Sequence, residues 1–192
     1  MEQQGQGNAT TDKIITNHVI FSMTAGAIPL PLVDVTAVTV IQLDMIKQLA
    51  NHYGAQYDQD SGKSLVSSLV GATLARMGAS AVKMIPGIGT VLGISTQVLL
   101  SGASTYALGK IFDGHFSNRG SIFDLNANDV KAKYEELLQK GKDVVQGLKK
   151  EKKDEDIPAT IAKLKELRES GAITEAEFEA TKKKLLEKMA GR

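Results

Sequence analysis

The sequence has no cysteine and no tryptophan, and only four tyrosines and five phenylalanines among 192 residues. Without cysteine there is no disulfide, thiolate ligand or thiol nucleophile, which fits a reducing compartment. So few aromatics supply neither an interfacial belt for spanning helices nor a platform for stacked bases. The net charge of +1 lacks the basic excess of a dedicated nucleic-acid binder, so nucleic acid is not expected as a partner. His18, His52 and His115 share no ligand spacing with one another or with a carboxylate pair. They read as surface or hydrogen-bonded imidazoles, and no metal or cofactor is expected. Serine and threonine are plentiful, but none is paired with a base or set in a nucleophile elbow. Asp34 and Asp44, ten residues apart on one helix, diverge by about 80° and cannot act as an acid–base pair. No catalytic residue is expected, and the chain reads as non-enzymatic.

Charge is missing locally as well. Met84 to Gly109 runs for twenty-six positions without a charged side chain, past the length of about 18 that flags a membrane span. Five glycines, several hydroxyl residues and Gln97 lower its hydrophobicity. Residues 14–113 hold ten charged side chains, five of each sign, whereas 114–192 hold seventeen basic and fifteen acidic ones. The regime changes near residue 114. The start, MEQQGQGNATTD, has no basic region ahead of its first apolar run, so it reads as a disordered leader over 1–12 rather than a signal peptide.

Apolar spacing predicts a helix from about Asp12 to Ala27, ended by Pro29 and Pro31. A second runs from about Leu32 to Tyr53, with Asp34 in its first turn, an Asp44–Lys47 pair at i,i+3, and Gly54 as its C-terminal cap. Within AQYDQDSGKS the GKS tail of a phosphate-binding loop lacks its leading glycine, because Tyr57 stands there. The reading without a nucleotide has Ser61 or Gly62 opening a third helix, about Lys63 to Met84.

That helix carries a face of small residues, Ser64, Ser68, Gly71, Ala75, Gly78 and Ala81. After a break at Pro86 and Gly87, a fourth helix from about Ile88 to Phe112 carries Gly89, Gly93, Gln97, Ser101 and Ser104. The two stripes are expected to pack closely on each other. The plan is all-α: two antiparallel helical hairpins with Ile-Pro breaks form a four-helix core. An amphipathic helix and a small two-helix C-terminal module follow.

The segments AGAIPLPLVDVTAVTVIQLDMIKQLANHYG, SLVGATLARMGASAVKMIPGIGTVLG and TYALGKIF, in that order, resemble the YcjF-type family over roughly residues 14–116. The resemblance implies a membrane-associated domain of unknown function, often fused to or encoded beside Era-like or dynamin-like GTPases. It implies no catalytic residues. This chain has no GTPase domain of its own, so a GTPase partner would act in trans.

From Asn128 to about Lys150, Val130, Tyr134, Leu137, Gly141, Val144 and Leu148 form a short coiled-coil-like seam, with Gly141 weakening the helix. The seam either packs back on the core or pairs with another chain. KKEKKDED at 149–156 reads as a solvated linker. In the tail, Thr174 and Glu177 form a capping box, with Ile173 and Phe178 as its hydrophobic staple. IAKLKELRESGAITEAEFEATKKKLLEKM is similar to the bacterial short C-terminal domain, which implies a bacterial origin and tethering or self-association. Leu164, Leu167, Ile173, Phe178 and Leu185 are its expected interaction face.

The expected layout is a leader at 1–12, a helical domain at 13–120, an amphipathic helix and linker at 121–156, and the tail at 157–192. The expected function is a membrane-associated scaffold or adaptor on the cytoplasmic face of a bacterial inner membrane. Its expected partners are lipid, further copies of itself and a GTPase. The alternative is a soluble, cytoplasmic self-assembling protein whose apolar helix faces are buried between subunits.

Overall fold

A computed structural model describes residues 2–26, 33–81, 89–151 and 157–169, and in the tail 174–176, 178–179, 182–183 and 186. Among the described residues the helices run in the order α1 (Glu2–Ala25), α2 (Val33–Tyr53), α3 (Gln59–Ala81), α4 (Gly89–Ser117), α5 (Ala127–Glu151) and α6 (Ile157–Glu169). No strand occurs among the described residues. The expected breaks at Pro29, Pro31, Pro86 and Gly87 lie outside them.

Local chemistry sets most helix ends. Gly54 closes α2 with a positive φ of 64°, and the Ala55 N–H donates to the Ala50 carbonyl at 2.9 Å, a Schellman closure. The cap of α3 is Asp58 rather than Ser61 or Gly62. Its Oδ2 accepts both the backbone N–H and the hydroxyl of Ser61 at 2.8 Å. Those bonds, the backbone one first, hold the Asp58 carboxyl below the usual carboxylate range. The helix therefore begins earlier than expected, and Gly62-Lys63-Ser64 lies within its first turns. Asn126 opens α5 by accepting the Asn128 N–H at 2.9 Å.

Two expectations about extent are corrected. Residues 2–12, expected to be part of a disordered leader, are helical, because α1 starts at Glu2, and Thr11 is fully buried. The fourth helix continues past Phe112 to Ser117, since Phe116 is also buried and the helix closes only at Arg119, with φ 63°.

The core lies around α4, which packs against α5, α1 and α2, while α3 packs on α2 and α5. Ile15 and Val19 of α1 meet Met45, Ile46 and Leu49 of α2, and Ala107, Leu108, Ile111 and Phe112 of α4. α5 belongs to this core. It contributes Tyr134, Leu137, Leu138 and Val145, and burial of each such side chain is worth about 1.5–3 kcal/mol. The Lys133–Glu136–Lys140 ion pairs on its outer face are solvent-screened and cannot be what holds it. The seam runs through Val145 instead of Val144, which is exposed. Ile122, in the α4–α5 connection, is buried and donates its N–H to the Gln56 carbonyl at 3.2 Å, tying two loops together at one end of the bundle.

Among the described residues, α4 is approached closely at Gly102 and by Gly141 of α5. A Cβ on Gly102 would lie 2.6 Å from Val145 of α5 and 2.7 Å from Met23 of α1. A Cβ on Gly141 would lie 2.7 Å from the Ala103 carbonyl oxygen, so this glycine is the point at which α5 crosses α4. Gly71, expected in the packing face of α3, is exposed with no described atom within 4 Å of its Cβ position. The packing of Gly78, Gly89 and Gly93 lies outside the described residues. In the tail, Leu164 and Phe178 are buried within the chain, and Arg168 stacks 4.7 Å above the Phe178 ring. That part of the expected interaction face is therefore closed; Leu167, Ile173 and Leu185 lie outside the described side chains.

These placements separate two glycine-to-alanine substitutions. Gly71→Ala gains helix propensity in open space and raises stability by up to about 1 kcal/mol. Gly141→Ala gains the same propensity but drives a methyl into the α4 backbone, lowering stability by about 1–3 kcal/mol. Urea unfolding of the two variants beside the parent chain measures both signs.

Candidate functional site

The polar groups buried in this core are gathered where α1, α2 and α4 meet. α1 contributes Ser22 to this site, besides its other buried polar residues Thr11 and His18, and α2 contributes Gln42. Ser22 stands one turn beyond His18 in α1, and Gln42 stands between Ile41 and Leu43 in α2. Both are fully buried. Gln42 Nε2 donates to Ser104 Oγ at 2.9 Å and to Thr105 Oγ1 at 3.1 Å, both on α4. Thr105 Oγ1 stands 2.7 Å from Ser22 Oγ and 2.9 Å from the Ser101 carbonyl, so its single proton serves one of them at a time. Gln42 Oε1 has no hydrogen-bond partner among the described residues. All the side chains here are uncharged. They fix the register of three helices and carry no acid–base function.

One turn toward the N-terminus of α1 lies a charged contact. His18 is only 4% exposed. Its Nδ1 is 2.8 Å from the Ile14 carbonyl oxygen and its Nε2 is 3.0 Å from Asp44 Oδ2 on α2. Gln48 Nε2 donates to the same Asp44 oxygen at 2.9 Å and stands 3.5 Å from His18 Nε2. Across the hairpin the fold brings His18 to Asp44, 26 positions away in sequence. The trio does not have the layout of a hydrolase. Both ring nitrogens are engaged by oxygens, and Ser22 bonds Thr105 instead of the imidazole.

A third cluster lies further along the same helices. Tyr53 of α2 donates to Asp113 Oδ1 of α4 at 2.8 Å, and Lys110 of α4 bonds Asp12 of α1. Burial, then the bond to Asp113, pushes the Tyr53 phenol above its ordinary value. Burial works against the Lys110 ammonium, but the bond and field of Asp12, with Asp113 and Tyr106, hold it above the ordinary lysine value.

The other histidines are structural. His115 Nε2 donates to the Ser121 carbonyl at 2.8 Å, and the ring of His52 meets Tyr53 edge-on. Among the described residues no group of three or more His, Cys, Asp or Glu side chains could hold a metal. Gly62, from the broken phosphate-loop pattern, is buried, with Tyr57 3.2 Å from its Cβ position, leaving no phosphate cradle there. Among the described residues no helix is long and apolar enough to cross a membrane. Gln97 lies near the top of the seam, its carbonyl 3.2 Å from the Cβ position of Gly26. Sequence reading missed Ser22, the His18–Asp44 contact and the Tyr53–Asp113 bond. The available signal was polar residues at inward helical positions, Thr11, His18 and Ser22 on α1 and Gln42 on α2.

Two substitutions test the seam. Gln42→Met removes the unpartnered acceptor while keeping the volume, so it changes stability by less than about 1.5 kcal/mol. Gln42→Ala leaves a cavity and costs about 2–5 kcal/mol, and thermal unfolding of the pair measures the difference. For Lys110, a folded-state value above the ordinary 10.5 means its pairing stabilises at lower pH and fades as pH rises through the raised value. Lys110→Met therefore loses up to about 1 kcal/mol at neutral pH relative to the parent, and the gap narrows in strongly alkaline urea titrations.

The family model described as "Domain of unknown function (DUF697)" matches residues 2–143, and that described as "Short C-terminal domain" matches residues 159–186. The first match takes in both the start of α1 and most of α5, which agrees with α5 packing into the core. It does not stop at 120. A curated relative, "Magnetosome membrane protein 22" of Magnetospirillum gryphiswaldense, is 35% identical over 136 residues, covering 68% of this chain and 70% of the relative. No solved structure matches the chain. The all-helical bundle and these matches agree: the chain belongs to the DUF697 family of unknown function and carries a short C-terminal domain after it.

Proposed function

We propose that this protein is a non-enzymatic, membrane-associated helical adaptor. The observation that carries the reading is the 35% identity to a protein whose name places it at a magnetosome membrane. The polar seam supports it from the other side. The three clusters are satisfied mostly by one another across helices, and such mutual bonding suits a scaffold better than a reaction centre.

The mode of association follows from the described helices. Lys110, Asp113, Asp12 and Asp44 are placed along the same helices that supply the apolar core, and charge at membrane depth is costly. The bundle docks on the membrane surface or on a membrane-held partner, and the described helices do not span. The GTPase acting in trans and the tethering role of the tail belong to this reading.

A second reading, self-assembly of copies through helix faces, is favoured by the exposed Phe123, 62% accessible in the α4–α5 connection, and by the open face at Gly71.

Cell fractionation separates the two readings. The adaptor reading expects the full chain in the membrane pellet and its release by a carbonate wash. Full recovery in the soluble fraction as a defined oligomer by light scattering would replace it with the second.

A further inference from the structure

The contact between α1 and α2 at His18 has a proton-counting problem. The Ile14 carbonyl oxygen and an Asp44 carboxylate oxygen can only accept hydrogen bonds. They stand 2.8 Å from Nδ1 and 3.0 Å from Nε2. Both contacts are hydrogen bonds together only in the imidazolium, which carries a proton on each nitrogen. In the neutral ring that keeps its Nδ1 proton on Ile14, the Nε2 lone pair faces the carboxylate.

Gln48 supplies the alternative. Its Nε2 is a donor 2.9 Å from Asp44 Oδ2 and 3.5 Å from His18 Nε2, so a small movement carries it from one to the other. We propose that His18, Asp44 and Gln48 form a proton-operated latch across the α1–α2 hairpin. With the ring doubly protonated, α1 and α2 are bonded directly through His18 and Asp44. When the proton lost is the one on Nε2 and the ring keeps its Nδ1 proton on the Ile14 carbonyl, that bond is replaced by opposed lone pairs, the Gln48 amide passes to Nε2, and the hairpin loosens at this level; a neutral ring protonated on Nε2 would keep the bond and overturn the latch.

Asp44 is half-exposed, its side chain 52% accessible, so protons reach the contact from solvent although the ring is buried. On α1 the neighbour is the Phe21 ring, edge-on at 5.8 Å. From α2 and its following loop the titratable groups are Asp44, the exposed Lys47 and Tyr57, whose phenol is raised first by burial and then by Asp58 and Asp44. On α4 the charged groups facing α1 are Lys110, paired with Asp12 six residues before His18, and Asp113 beyond it. α6 also touches α1, and Arg168 there is engaged with Glu175 and the Phe178 ring.

The test uses the full chain labelled with ¹⁵N. Across about pH 5 to 8, histidine ring-nitrogen shifts report the protonation state of His18, and hydrogen exchange reports the α1 amides from Asn17 to Phe21. The expected result is a doubly protonated ring at the acid end, followed by loss of about tenfold in amide protection as Nε2 deprotonates. Asp44→Asn retains protection at the alkaline end, because an amide nitrogen can donate to the neutral ring. Gln48→Leu increases the alkaline loss. A single neutral tautomer at every pH, or α1 protection that does not change with pH in the parent chain, overturns the latch.

Discussion

The structure depends on how closely three helices come to α4. At Gly102 a side chain of α5 and one of α1 sit where a methyl group would otherwise stand, and at Gly109 Ile15 lies 2.9 Å from the Cβ position. α5 answers with Gly141 over the Ala103 carbonyl. Interiors packed at crystal density have no slack to absorb an added carbon at such points. Each of these residues therefore fixes a helix separation, and those separations set the distances in the polar seam. The bonds from Gln42 to Ser104 and Thr105 exist only because α2 stands that close to α4.

The seam and the apolar core have different tasks. Burial of Ile46, Leu49, Leu108, Phe112 and Tyr134 supplies the drive to fold, yet apolar side chains tolerate sliding by a turn. The hydroxyl–amide contacts do not, because a shift of one residue would strand Gln42 between hydrocarbons. Stability comes from the one and register from the other. The same division explains how a core with so few aromatic residues holds a defined arrangement. Small side chains bring the backbones near, and directional bonds then choose among the near arrangements.

The charged contacts sit along the edges of this arrangement. Asp12–Lys110, Tyr53–Asp113 and His18–Asp44 each join two helices that are already packed by their apolar residues. Their positions place charge along the same helices, α1, α2 and α4, that supply the apolar core. In the tail, Leu164 and Phe178 are buried, and Arg168 lies over the Phe178 ring.

The helical periods, the glycine cap at Gly54, the charge split near residue 114 and the two-part family organisation were readable from the residues alone. Each depends on neighbours close in sequence or on composition. The start of α1 was misjudged by ten residues, and the Asp58 cap and the shift from Val144 to Val145 by no more than a few, since short-range patterns leave helix ends open. The partners of the small-residue faces were legible only in three dimensions. Glycine spacing says that something approaches closely and does not say what. Gly71 met open space, while Gly141, which looked like a weakness in a helix, marked the crossing with α4. His18 finding Asp44, and Gln42 finding α4, likewise join residues 26 and 62 positions apart. Tertiary packing alone chose those pairs, because hydrogen bonds between distant residues form only once apolar burial has brought their helices together.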